Sequence, residues 1–115
     1  MYQPVPEFSC DVVETPTSAV VRVAGELDLA STPEVEEALH RLATQKKLVT
    51  LDLRGLVFMD STGLRLMIEI DALARQDGFH FEIVRGNDLI HRIFQMSGVE
   101  EHLTIVDEPA VSAAS

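Results

Sequence analysis

Leu48-Val-Thr-Leu-Asp-Leu-Arg-Gly-Leu-Val-Phe-Met-Asp-Ser-Thr-Gly-Leu64 decides how this chain is read. Leu48 to Leu53 has the apolar density of a buried strand. A short loop follows, and Ser61 then stands at the mouth of a helix predicted over residues 62–76, closed by Asp77-Gly78. A hydroxyl in that place has two uses. It can cap the helix by accepting a bond from a free backbone N–H, worth about 1 kcal/mol. It can also carry a phosphate, which the free N–H groups and the dipole of a helix start tolerate. The neighbours favour the second use. Gly63 lets another backbone or a partner come close, and Val57-Phe58-Met59 sets apolar bulk beside the polar loop, which a solvated cap does not need.

Outward from this stretch, strands and helices alternate. Phe8 to Val13 is a candidate edge strand, and Ala19 to Ala24 is a β-branched strand bounded by Gly25. Ser31-Thr-Pro-Glu34 opens a helix with hydroxyl caps, a proline in the first turn and then an acid. Val35, Ala38, Leu39 and Leu42 form its apolar stripe, and Lys46 and Lys47 suit its C-terminal dipole. Phe79 to Val84 is a strand with Phe79, Phe81 and Ile83 on one face. Asn87 or Asp88 caps a third helix that turns Ile90, Ile93 and Phe94 inward and stops at Gly98. Leu103 to Val106 is a last strand. The order β-β-α-β-α-β-α-β, with a turn at Thr15-Pro-Thr-Ser18, predicts an α/β fold. Its mixed sheet of four to five strands has helices packed against it, an antiparallel first pair and parallel neighbours thereafter.

The 115 residues suffice for one domain, and 46% hydrophobic content supplies its core. Residues 1–7 and 108–115 are expected to be loose ends around a domain at 8–107. No run is apolar enough to span a membrane, and the N-terminus lacks the pattern of a signal peptide. With Cys10 as the single cysteine, a cytoplasmic protein is expected. A net charge of −10 argues against nucleic acid and anionic membranes and suits either plain solubility or a basic partner. It also gives a phosphate on Ser61 a function. With Asp28 and Asp60 nearby, an added dianion about 5 Å from a partner carboxylate costs a few kcal/mol at an effective dielectric of about 20. Even about 3 kcal/mol weakens binding more than a hundredfold.

Three segments together carry a family resemblance: Val23-Ala-Gly-Glu-Leu-Asp28, Leu51 through Leu64, and Phe79-His-Phe-Glu-Ile-Val-Arg-Gly-Asn87 followed by Ile93-Phe94 and Ser97-Gly-Val99. Over roughly residues 8–107 the chain resembles the STAS-domain anti-sigma factor antagonists of bacteria, also called anti-anti-sigma factors. The resemblance implies the STAS fold and partner switching. The unmodified protein binds an anti-sigma factor that is also a serine/threonine kinase, and the sigma factor is freed. Phosphorylation of the Ser, here Ser61, breaks the complex, and a PP2C-type phosphatase resets it. Asp60, Thr62 and Gly63 then shape the acceptor loop, while Asp28 and Ser31 lie in a neighbouring loop that also meets the kinase. Relatives often read D-S-S-G-L-G here. This chain has Arg65 in place of the last glycine, which on the exposed side of the helix is set to pair with a phosphate or a partner acid.

Other readings fare less well. A receiver domain could use Asp52 or Asp60 as acceptor but needs a late lysine, and none follows Lys47. STAS domains of anion transporters come with membrane helices and those of stressosomes with a longer N-terminal domain. A STAS subunit of a lipid-transport ABC system stays open as the alternative. An enzyme is not expected. His40, His80, His91 and His102 lack metal-ligand spacing, Cys10 has no motif around it, no P-loop is present, and Asp28 with Asp60 reads poorly as an acid/base pair. No metal or other cofactor is implied. The second helix also carries more apolar residues than one stripe needs: Leu64, Leu66, Met67, Ile68, Ile70 and Leu73. Either it is buried on two sides, or it leaves an apolar strip near Ser61 for a partner.

Overall fold

The computed structural model describes residues 4–110. The elements are β1 (Ser9–Glu14), β2 (Ser18–Leu27), α1 (Thr32–Ala43), β3 (Leu48–Met59), α2 (Ser61–Asp77), β4 (Phe81–Val84), α3 (Asp88–Ser97), a 3₁₀ turn (Val99–Glu101) and β5 (Ile105–Val106). The strands form one sheet in the order β1-β2-β3-β4-β5. β1 runs antiparallel to β2, and the other pairings are parallel. This is the mixed α/β architecture expected from the alternation of elements.

The local chemistry explains each junction. The β1–β2 turn closes on Thr15, whose hydroxyl accepts the Ser18 N–H at 2.9 Å. Parallel neighbours need long crossovers, and the three helices supply them. α2 ends at Gly78 and α3 at Gly98, both left-handed. Asn87 caps α3 by accepting the Ile90 N–H at 3.0 Å, and its amide donates to Leu56 O, which ties the helix start to β3.

Alternation along the strands sorts the core. Val21 and Val23, Leu51 and Leu53, and Phe81 and Ile83 share one face. On that face they meet Val35, Leu39 and Leu42 of α1, Leu66, Met67 and Ile70 of α2, and Ile90 and Phe94 of α3. The residues between them, Arg22, Thr50, Asp52 and Glu82, stand on the opposite face. There the Glu82 carboxylate is buried and accepts from Thr50 Oγ1 at 3.0 Å and from the Ala110 N–H at 2.9 Å.

Several boundaries differ from the sequence reading. β2 does not stop at Gly25 but runs on to Leu27, and β3 extends to Met59 instead of ending in a loop at Leu53. The two extensions pair with each other, Ala24 with Gly55, Gly25 with Leu56, and Leu27 with Met59. Gly25 serves this pairing rather than ending it. It has φ +88, and a Cβ there would meet the Phe8 backbone at 2.9 Å. β4 begins at Phe81 and β5 at Ile105, each two residues later than expected. Lys46 and Lys47 lie past the end of α1, whose last turn holds His40 and Arg41 instead. The expectations for residues 1–7 and 108–115 fall partly on 1–3 and 111–115, which lie outside the described residues. Among the described residues no helix is long and apolar enough to cross a membrane.

Candidate functional site

The ends of β2 and β3 lie side by side, so the chain leaves the sheet twice at one corner. From Leu27 it enters the Asp28–Ser31 turn and α1. From Met59 it enters α2 through Asp60. The pair is fastened by the Asp60 N–H, which donates to Leu27 O at 3.1 Å. Residues over thirty positions apart in sequence thus form one site.

Asp60, not Ser61, caps α2. Its extended backbone turns the carboxylate onto the helix start, where Oδ1 accepts the Thr62 N–H at 2.9 Å and also the Thr62 hydroxyl. The Thr62 hydroxyl above all, helped by the backbone N–H groups of Thr62, Gly63 and Leu29, outweighs the opposing effect of burial and holds the Asp60 carboxyl below its usual range. The Thr62 proton is committed to Asp60. The 3.3 Å contact between Thr62 Oγ1 and Thr32 Oγ1 therefore has Thr32 as donor. This contact joins the first turns of α1 and α2.

Ser61 is the first residue of α2 and is exposed. Its hydroxyl has no hydrogen-bond partner among the described residues, because the capping task is done by its neighbour. Arg65, one turn further along α2, is exposed as well. Gly63 is buried, and the groups that crowd it are its own core. A Cβ there would lie 2.8 Å from Met59 Cγ and 2.9 Å from Leu27 Cδ2. The close approach anticipated at this glycine therefore comes from inside the molecule.

Across the corner, Asp28 is half-buried and organises its own turn. Its Oδ1 accepts the Ala30 N–H at 3.0 Å and the Ser31 N–H at 3.1 Å. Ser31 precedes α1, but its hydroxyl does not cap the helix as expected. It is buried and turned back, donating to Glu26 O at 2.8 Å and accepting the Asp28 N–H at 2.9 Å. Ser31 thus supports the Asp28 turn from beneath and presents little surface of its own.

A groove of about 280 Å³ separates the two helix starts, lined by Leu29, Thr32, Glu36, Thr62, Arg65 and Glu69 among others. Leu29 is 76% exposed beside it. Sequence reasoning missed Leu29, Thr32 and the two glutamates. The signal for Leu29 was an apolar residue inside a polar turn, but the Thr32–Thr62 pairing has no local signature. The surplus of apolar residues on α2 divides between the two readings. Leu66, Met67 and Ile70 are buried, Leu64 and Leu73 are half-buried, and Ile68 is exposed, as is Phe58 at the end of β3.

The family model described as Mlab, STAS domain matches residues 10–107. The chain belongs to the STAS domain family. Among similar STAS proteins, the anti-sigma-B factor antagonist of Bacillus subtilis is 27% identical over 98 residues, covering 85% of this chain and 90% of that protein. The anti-sigma F factor antagonist of Paenibacillus polymyxa is 33% identical over 92 residues, 76% of this chain and 77% of that protein. The phosphorylated form of the Bacillus cell fate determinant SpoIIAA shares the STAS fold with a TM-score of 0.67. It is 21% identical, and the match covers 90% of this chain and 92% of that one.

Proposed function

We propose that this STAS protein is an anti-sigma factor antagonist. Its unmodified form binds an anti-sigma factor that is also a serine/threonine kinase, and the sigma factor is thereby released. The observation that carries the reading is the exposed, unpartnered hydroxyl of Ser61 beside a cap that Asp60 alone provides. Such a hydroxyl can be modified without dismantling the helix start.

The docking face consists of Asp28, Asp60, Ser61, Thr62 and Arg65, with Ser31 holding the Asp28 turn and Gly63 seating the start of α2 from below. A partner fits it that has an apolar pocket for Leu29, basic groups facing Asp28 and Asp60, and an acid facing Arg65 and Ser61. The kinase passes the γ-phosphoryl of ATP to Ser61 Oγ. The bond to the ADP oxygen breaks, the bond to Oγ forms, and the hydroxyl proton leaves to a base. The product carries about −1.5 to −2 charges at the centre of the face. Repulsion then opens the complex, and a PP2C-type phosphatase hydrolyses the phosphoserine to restore it. In this reading the protein is a cytoplasmic regulator with no catalytic residue or cofactor of its own.

The test is a pull-down against the anti-sigma kinase encoded near this gene. Ser61→Ala should bind whether or not ATP is present, and Ser61→Asp should bind at least about tenfold more weakly, the equivalent of about 1.4 kcal/mol. Equal binding by the two variants would overturn the switch. Recovery of permease and ATPase subunits in place of the kinase would replace it with the lipid-transport reading.

A further inference from the structure

We propose that Arg65 holds the phosphoryl group once Ser61 carries it, so that modification also withdraws a cation from the docking face. The proposal rests on Ser61 being the modified residue and adds an internal partner for the phosphate.

Four observations bear on Arg65. It lies four residues after Ser61 in one continuous helix, a spacing that brings the two Cβ atoms to about 5–6 Å. Helical side chains lean toward the N-terminus, so a long side chain at 65 reaches back over 61. Both residues are exposed. Most telling is what Arg65 does not do. Arg41, Arg54, Arg75 and Arg85 each pair with a carboxylate. Arg65, like Arg22 and Arg92, makes no ion pair among the described residues, although Glu36 and Glu69 line the same groove. It is the only cation among the residues that line that groove.

A guanidinium fork matches the spacing of phosphate oxygens and binds them in bidentate fashion. In the unmodified protein Arg65 is free to meet an acid on the partner. After modification the phosphate, tethered one turn away, outcompetes a partner acid that must be supplied from solution. A positive contact is lost from the interface at the same moment as a negative charge is gained. The other hydroxyl of the motif cannot substitute, because Thr62 is already bonded to Asp60 and Thr32.

The experiment uses the full chain with phosphoserine inserted at position 61 during synthesis, so that no kinase is required. Phosphorus NMR follows the second ionisation of the phosphate, ordinarily at about pH 6. With Arg65 present the midpoint should lie about 0.2–0.7 pH units below that of Arg65→Gln at low salt, the range an exposed ion pair supports. Arg65→Lys should fall between the two, and the gap should narrow as salt is added. Superimposable curves for the parent protein and Arg65→Gln would overturn the pairing. Failure of the kinase to modify Ser61 would sink the proposed function yet leave this titration unchanged, so the two can fail separately.

Discussion

A methyl group at position 63 would press on Met59 Cγ and Leu27 Cδ2 at 2.8 and 2.9 Å. Both side chains are buried, so neither can swing into solvent. Two effects of opposite sign meet here. Alanine is the better helix former by about 1 kcal/mol, whereas crowding in a closed core costs about 1–3 kcal/mol. The contacts are shorter than side chains normally tolerate, so crowding should win. Gly63→Ala is expected to lower stability by about 1–2 kcal/mol, read as a lower urea midpoint with unchanged slope. A midpoint that rises would show that Leu27 and Met59 yield. The same residue pair explains why the motif glycine is tied to the site. Leu27 ends β2 and Met59 ends β3, and Gly63 lets α2 sit down on both.

At the scale of elements, α1 and α2 are joined at their first turns by one hydroxyl pair. Thr32 donates to Thr62, and Thr62 donates to Asp60. Thr62→Val should cost about 1–2 kcal/mol, because it strips a donor from the capping carboxylate, and Thr32→Val should cost less than about 1 kcal/mol. The double variant should fall short of the sum by about 0.5–1 kcal/mol in chemical denaturation, and strict additivity would mean the hydroxyls act independently. This coupling was invisible in the sequence, since it joins positions thirty residues apart. What the sequence did reveal is what local chemistry dictates: a cap at Asn87 or Asp88 and a stop at Gly98 bounding α3, Gly78 ending α2, and the Val35-Leu39-Leu42 stripe of α1. The long tails of β2 and β3 were misread for a physical reason. Gly25 looks like a break, yet it and Gly55 each mark a close approach to a strand from elsewhere in the chain. Gly55 faces Ala24, whose Cβ would lie 3.0 Å from an added Cβ, and Gly25 has φ +88 and packs against the Phe8 backbone. Ser61 was legible as a helix-start hydroxyl, but that Asp60 would take the cap became clear only from the extended backbone at that position.

Over the whole molecule, the sheet has one face sealed by helices and one that carries charge. On the charged face the Asp52 carboxylate is buried and grips Arg54 through two nitrogens at 2.8 and 3.0 Å. Burial would raise its pKa, but the side-chain and backbone hydrogen bonds from Arg54, helped by the charges of Arg54 and Arg22, outweigh it, and the value is lowered. Asp60 is lowered too. A carboxyl lowered on folding adds stability above its unfolded value of about 3.9, and that stability disappears as pH falls through the folded value. The remaining acids act the other way, because a chain of net charge −10 repels itself and protonation relieves the repulsion. The two effects separate by pH. Relief of repulsion begins as soon as net charge is lost, and the Asp52 and Asp60 contributions are lost only as pH falls through their lowered values. Urea midpoints should therefore change little from about pH 7 to about pH 5 and fall steeply below about pH 4. Asp52→Asn should be less stable than the parent protein at neutral pH by about 2 kcal/mol, because Arg54 loses a charged partner. The two proteins should converge as the pH falls below the lowered value of the Asp52 carboxyl, where the parent is also protonated at that position. Curves that stay parallel down to that pH would mean that the Asp52–Arg54 clamp contributes nothing to holding the charged face.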